Sequence, residues 1–299
     1  MSNVPVQRKF GRKPPKNAPS LQLASFLSGV IPTHPPSEDY LSRLKNWQML
    51  GNDQYGDCVA VTWANMRRLI TAELTSNEYY PTMSQVISLY KTQNPNFPTQ
   101  DDGMDIQTCL EYLHKTGGPD GVKIVAFARV NFSDLEEVRA ALAIFGSLWL
   151  GINVQKANMN QFNQSQPWDY VSGSANDGGH SIIGGGYTSI ASNDVRFITW
   201  AEETGFTDNF WNKQVEEAWA VIWPEQLGTI EFEQGIDMNQ LAADYKQLTG
   251  SDLPIAPAPQ PPSPTPLPPD PSPAPNPTPN PSPGCLPSVV NKIMSIFKP

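Results

Sequence analysis

A change of hydrophobic period at Gly117-Gly118-Pro119-Asp120-Gly121 constrains this chain more than any other feature. Before it, apolar residues recur every three or four positions; after it, they largely alternate. The cluster of glycines and proline between the two regimes marks a turn. Helices first, then strands with a helix among them, predict an α+β domain with a mainly antiparallel sheet.

The longest helical pattern covers residues 59–74. Val59, Trp63, Met66, Ile70 and Leu74 follow one another at spacings of four, three, four and four, which makes one stripe, and Arg67, Arg68 and Glu73 fall on other faces. The polar loop Gly51-Asn52-Asp53-Gln54-Tyr55-Gly56-Asp57-Cys58 leads into it. Asp57 is expected as the N-cap, with Cys58 in the first turn. There the free amides and the helix dipole favour thiolate over thiol, so Cys58 is a candidate nucleophile. Further helices are expected at 83–91 and at 104–114. The second places Ile106, Cys109, Leu110 and Leu113 together, so Cys109 reads as core packing.

Beyond the turn, 122–130 reads as a strand. Ser133-Asp134-Leu135-Glu136 reads as a capping box for a helix that Gly146 stops. Residues 148–154 alternate like a half-buried strand. The polar stretch 155–177 is expected as a long surface loop and a candidate substrate wall. Strands follow at 180–187 and 195–200, joined by a turn at 189–194. A short helix or loop at 206–215, a strand at 217–223 and a helical piece at 241–248 complete the domain.

The ends differ in character. Residues 1–20 carry Arg8, Lys9, Arg12, Lys13 and Lys16, with Pro14, Pro15 and Pro19 blocking regular structure, and are expected as a flexible, solvated basic arm. The globular domain takes 21–250. More than half of the 31 prolines fall between 254 and 287, so 251–287 is expected as a disordered Pro-rich linker, able to reach on the order of 100 Å. Residues 288–299, with Val289, Val290, Ile293, Ile296 and Phe297, form a short amphipathic segment suited to docking on a partner protein or a membrane surface. A net charge of −9 argues against nucleic acid as the main partner. Three cysteines with no CxxC spacing exclude a disulfide framework and a cysteine zinc site. No metal site and no cofactor are implied. With no signal-like opening and no apolar run of roughly 18 residues, a cytoplasmic or virion-associated protein is expected.

A nucleophilic thiolate needs a base. His34 lies in a Pro-rich turn and is expected to be exposed; His114 ends a helix, a structural place for a histidine. His180 opens an apolar strand after Asn176-Asp177-Gly178-Gly179, where small residues allow close approach, and is the leading base. Asp57-Cys58 opening a helix, Gly179-His180-Ser181-Ile182-Ile183 with Gly186-Tyr187, and Thr199-Trp200 on the next strand resemble the papain-like cysteine peptidase superfamily. The Asp-Cys pair is closer to its leader-processing peptidases than to papain, and the Gly-Asn-Asp…Gly-Asp-Cys loop and Thr-Trp strand are similar to those of bacterial and phage papain-like proteins.

That resemblance implies a long central helix packed on the sheet, a peptide or protein substrate, and a Cys58–His180 dyad acting through a thioester. It places an oxyanion amide at Asn52, six residues before the cysteine, with Gln54 as rival. The family's orienting asparagine corresponds to Ile198, which leaves Thr199 as the nearest polar side chain. Gly56, Asp57, Gly179 and Trp200 are the expected substrate-binding neighbours. The shorter amide and the missing asparagine leave an alternative: a papain-like domain without turnover, used as a binding or virion-structural module.

Overall fold

The helix expected after Asp57 runs from Cys58 to Leu74 and is buried almost all round. This computed structural model describes residues 8–28, 34–75, 77–187 and 195–255. The turn expected at 189–194, nearly all of the Pro-rich linker and the amphipathic segment at 288–299 lie outside the described residues.

In chain order the elements are β1 (Leu21–Gln22), β2 (Glu38–Asp39), α1 (Cys58–Leu74), α2 (Met83–Tyr90), α3 (Ile106–Lys115), β3 (Ala126–Arg129), α4 (Leu135–Phe145), β4 (Leu148–Gln155), α5 (Lys156–Asn163), β5 (Asn176–Tyr187), β6 (Val195–Thr199), β7 (Glu202–Gly205), α6 (Asp208–Gln214), β8 (Val215–Ile222), α7 (Ile230–Gly235) and α8 (Met238–Thr249). The strands form one sheet in the order β1-β3-β8-β4-β5-β6-β7, with β2 also on β5. Of these pairings only β1 with β3 is parallel. The expected α+β class and mainly antiparallel sheet are therefore present.

Strand alternation divides the core into two layers. Trp149, Ile183, Ile198, Trp219 and Val221 point to one face and pack with α1 to α3 through Trp63, Met66, Leu89 and Leu110. Leu148, Leu150, Ile152, Val154, Ile182 and Phe197 point to the other, against Leu142 and Phe145 of α4, Phe210 of α6 and Leu241 of α8. Cys109 lies in the first layer, as expected.

Several expectations are corrected. β4 is not half-buried, because it lies between β5 and β8 with helices on both faces. The stretch 155–177 is not a plain surface loop; it holds α5 and the start of β5, and Trp168 within it is fully buried. Asp134, not Ser133, caps α4, accepting from the amides of Glu136 and Glu137. Arg67 and Arg68, on faces of α1 away from the apolar stripe, are buried too: Arg67 pairs with Asp120 and Glu225, and Arg68 with Glu78. His34 is only partly exposed and contacts Glu136. His114 is bonded to the Ile124 carbonyl and the Tyr245 hydroxyl, a structural role. No helix of the described residues is long and apolar enough to cross a membrane.

The largest departure is the arm. Around residues 10–13 it is not a solvated leader: Arg12 is buried, and backbone bonds hold this stretch between Met104 and Gly179 of the sheet, while Lys9, Pro14, Lys16, Asn17 and Pro19 stay exposed before β1 joins β3.

Candidate active site

Cys58 begins α1 with its side chain fully buried. Thr62, one turn on, donates its hydroxyl proton to the Cys58 carbonyl and meets Ser181 Oγ at 2.9 Å. Trp149 Nε1 donates to the same Ser181 oxygen at 2.7 Å. The Thr62 proton is already committed, so the Ser181 hydroxyl donates to Thr62. This chain of three side chains ties the head of α1 to β5 at the residue after His180.

Asp57 occupies the N-cap position without capping: its side chain accepts no helix amide, and both carboxyl oxygens are buried without partners. Burial, with Asp101 and Asp53 nearby, pushes its carboxyl up to about 8.

His180 is fully buried on β5, paired with Ile152 of β4. Its Nε2 lies 2.7 Å from Thr199 Oγ1 on β6. Trp200 stacks on the imidazole with centroids 4.6 Å apart and an interplanar angle of 23°. To lie there, Trp200 takes a left-handed backbone conformation at φ +45°, an uncommon choice for a bulky residue. Nδ1 of His180 has no hydrogen-bond partner, so the thiol and the imidazole are not bonded to each other. Ile198 points instead into the helical layer.

Asn52 is buried, with its side-chain oxygen unpartnered, and lines a cavity of about 10 Å³ with Thr199, Trp200 and Ser181. Gln54 is exposed on the turn before Cys58. The Gly56 amide donates to the Asp101 carboxylate at 3.0 Å.

The arm fills the space between these walls. Arg12 N donates to the Gly179 carbonyl at 3.0 Å, Met104 N donates to the Gly11 carbonyl at 2.7 Å, and Lys13 N donates to the Met104 carbonyl at 2.8 Å. Gly11 is squeezed so closely that a Cβ there would come within 2.0 Å of the Gly56 carbonyl oxygen. Phe10 packs edge-on against both His180 and Trp200. Arg8 lies over the Trp200 ring, and Lys9 pairs with Asp101. Arg12 reaches Glu217 at 3.0 Å and also contacts Glu216, with its side chain 1% exposed.

Burial governs the protonation of the pair. Burial pushes the Cys58 thiol up to about 12; backbone hydrogen bonds from Ser181 and Gly11 and the Arg12 charge pull it back only partly, and the Asp57 charge adds to the rise. The thiolate expected from the helix start is thus overruled by desolvation. Burial and then the Arg12 guanidinium hold His180 down to about 3. At neutral pH the site holds a thiol and a neutral imidazole.

No family model matches the sequence, and no curated protein matches it at a significant level. Solved structures do resemble it. Xylellain, a cysteine protease from Xylella fastidiosa, superposes with a TM-score of 0.58 at 16% identity, covering 75% of this chain and 99% of that one. Procathepsin L 3 of Tenebrio molitor larval midgut gives 0.52 at 12%, over 73% and 77% of the two chains. Procathepsin B S9 from Trypanosoma congolense gives 0.54 at 12%, over 75% and 89%. The chain has the papain-like fold.

Within that papain-like fold, the sequence-predicted Cys58, His180, Thr199, Trp200 and Gly179 converge on the channel that the arm fills. Asn52 lies beside Thr199 and Trp200, while Gln54 stays outside. Sequence reasoning missed the arm residues Phe10, Gly11 and Arg12, and it missed Glu216, Glu217 and Ser181. One signal was legible: two adjacent glutamates interrupt the apolar strand Val215–Ile222, and alternation must turn one of them inward.

Proposed function

We propose that this chain is a thiol peptidase whose cleft is closed by its own N-terminal segment. The observation that carries the reading is the set of main-chain hydrogen bonds linking Gly11, Arg12 and Lys13 to Gly179 on one side and Met104 on the other. Main-chain bonds of this kind hold an extended peptide without reading its side chains. The channel passes directly over a cysteine at a helix start and a histidine on a strand.

In the open enzyme, Cys58 Sγ attacks the scissile carbonyl carbon while Nδ1 of His180 takes the thiol proton. The imidazolium returns that proton to the leaving amine, and a thioester remains on Cys58. Water, deprotonated by His180, then releases the acid and restores the thiol. Thr199 accepts the Nε2 proton, which leaves the Nδ1 lone pair facing the reaction. Asn52 and the Cys58 amide supply oxyanion donors once the substrate carbonyl is in place. Xylellain, which shares this fold, is a cysteine protease, and that supports the assignment.

The closed form explains its own latency. The arm offers the sulfur the Gly11 amide rather than a carbonyl carbon. The causes that hold His180 neutral are burial and Arg12, and the arm contributes to both.

A second reading is favoured by one observation, the unbonded Nδ1 of a fully buried His180. In it the arm is a permanent strut and the domain is a binding module. Labelling with iodoacetamide near pH 6 separates the two. For a peptidase, Arg12→Ala raises the alkylation rate of Cys58 at least roughly tenfold over wild type, and His180→Ala in the same background abolishes the gain. Equally slow labelling of Cys58 and the buried Cys109 in all three chains supports the binding module.

A further inference from the structure

The main-chain bonds between arm and cleft are blind to sequence, so side chains carry whatever selectivity the cleft has. The Arg12 side chain makes the most specific contacts of the arm. Its Nη1 donates to Glu217 Oε1 at 3.0 Å and to the Lys13 carbonyl at 3.2 Å. Its Nη2 donates to the Ile152 carbonyl at 3.2 Å, to Asn153 Oδ1 at 3.4 Å, and to the carboxylate of Glu216. The receptor is built independently of this guest. Glu217 is fully buried, with Oε2 held by Trp219 Nε1 at 2.8 Å, and Asn153 holds the other oxygen of Glu216. Room for the guanidinium exists because residue 151 is glycine: a Cβ there would lie 2.5 Å from the Glu217 side chain and 2.8 Å from Arg12 Cδ.

A strut alone does not need such a pocket. A buried ion pair is matched or bettered in stability by apolar side chains of similar volume, whereas a buried carboxylate without its cation is costly. A fixed carboxylate at the bottom of a peptide channel instead admits a planar, multidentate cation and rejects an apolar side chain. A lysine ammonium, a single nitrogen, cannot reach both carboxylates and the Ile152 carbonyl with the same geometry.

We infer that Glu217, with Glu216 and Asn153, is a guanidinium-reading subsite, that the cleft selects peptides presenting an arginine side chain there, and that Arg12 is its intramolecular occupant. The inference rests on the reading of the channel as a peptide cleft and adds the class of peptide that it takes.

The test uses the full chain carrying Arg12→Ala, titrated with acetyl-Lys-Phe-Gly-Arg-Lys-amide and with the same peptide bearing leucine or lysine in place of arginine. Binding is read by calorimetry and by protection of Cys58 from iodoacetamide. The arginine peptide is expected to bind roughly 100-fold more tightly than the leucine peptide and about tenfold more tightly than the lysine peptide. In the Arg12→Ala/Glu217→Gln chain, that advantage shrinks to a few-fold at most. Equal binding of the three peptides, no binding of any, or an arginine preference untouched by Glu217→Gln overturns the inference.

Should Arg12→Ala alone fail to fold around its unpaired carboxylate, the Arg12→Ala/Glu217→Leu chain carries the test. There the leucine peptide is expected to bind about tenfold better, and a persisting arginine preference overturns the inference. Cleavage is followed in the same samples. Selective binding without cleavage counts against the peptidase and leaves the subsite standing; cleavage without arginine preference does the reverse.

Discussion

Around His180 it is the Thr199 hydroxyl that meets the imidazole, while the preceding position, where the resemblance places an asparagine, holds Ile198. Residues 198 and 199 face opposite sides of β6, so Ile198 feeds the helical layer while Thr199 reaches Nε2 at 2.7 Å. A hydroxyl fixes the ring through a single contact, and the stacked Trp200 supplies the rest of the restraint. If Thr199 holds the productive tautomer, Thr199→Val in the Arg12→Ala chain lowers the rate of Cys58 alkylation at pH 6 about tenfold, whereas Thr199→Ser keeps it. Equal rates in all three chains would show that the hydroxyl does not orient the base. The position of His180 was legible from its glycine-flanked strand and its scarcity among titratable partners. The orphaned Nδ1 was not, because it depends on what fills the cleft.

At the scale of elements, the relation between α1 and β5 decides whether a cysteine and a histidine far apart in sequence can cooperate. Thr62, Ser181 and Trp149 fasten the two together, with each hydroxyl proton assigned. Ser181→Ala leaves the buried Trp149 indole N–H without an acceptor, and is expected to cost about 1–3 kcal/mol, read as a lower urea midpoint at unchanged m-value. A midpoint within error of wild type would remove the fastening role. Helices α1, α2 and α3 were legible because each shows one periodic apolar stripe. β4 and the stretch 155–177 were misread because burial on both faces hides alternation, and because α5 is polar over most of its surface. The burial of Arg67 and Arg68 was not legible for a related reason: their acidic partners Asp120, Glu225 and Glu78 come from other segments, and no local pattern announces them.

For the molecule as a whole, two buried site residues tilt stability in opposite directions with pH. His180, near 3 when folded against 6.5 for an ordinary histidine, takes up its proton more readily in the unfolded chain. Its contribution is therefore present above about pH 6.5 and is lost as pH falls toward 3. Asp57, near 8 against 3.8, behaves the other way: its contribution is present below pH 3.8 and is lost as pH rises through 8. The two slopes oppose each other between about 4 and 6.5, and only that of Asp57 remains above. Asp57→Asn is thus expected to gain on wild type by several degrees in Tm between pH 5 and pH 8, corresponding to roughly 3 kcal/mol. Parallel Tm curves for the two chains over that range would contradict the assignment.

The parallel pairing of β1 with β3 anchors the arm only nine residues beyond Arg12, counting from 12 to 21. A segment leashed that closely faces the cleft at an effective concentration on the order of millimolar, at any protein concentration. Dilution cannot open such a site. A free peptide of equal affinity competes for the channel only above that same threshold, an exclusion set by arithmetic rather than by shape. Severing or remodelling the leash between Arg12 and Leu21 removes the threshold in one step, so on the proposed peptidase reading that short stretch is the point at which activity is switched on.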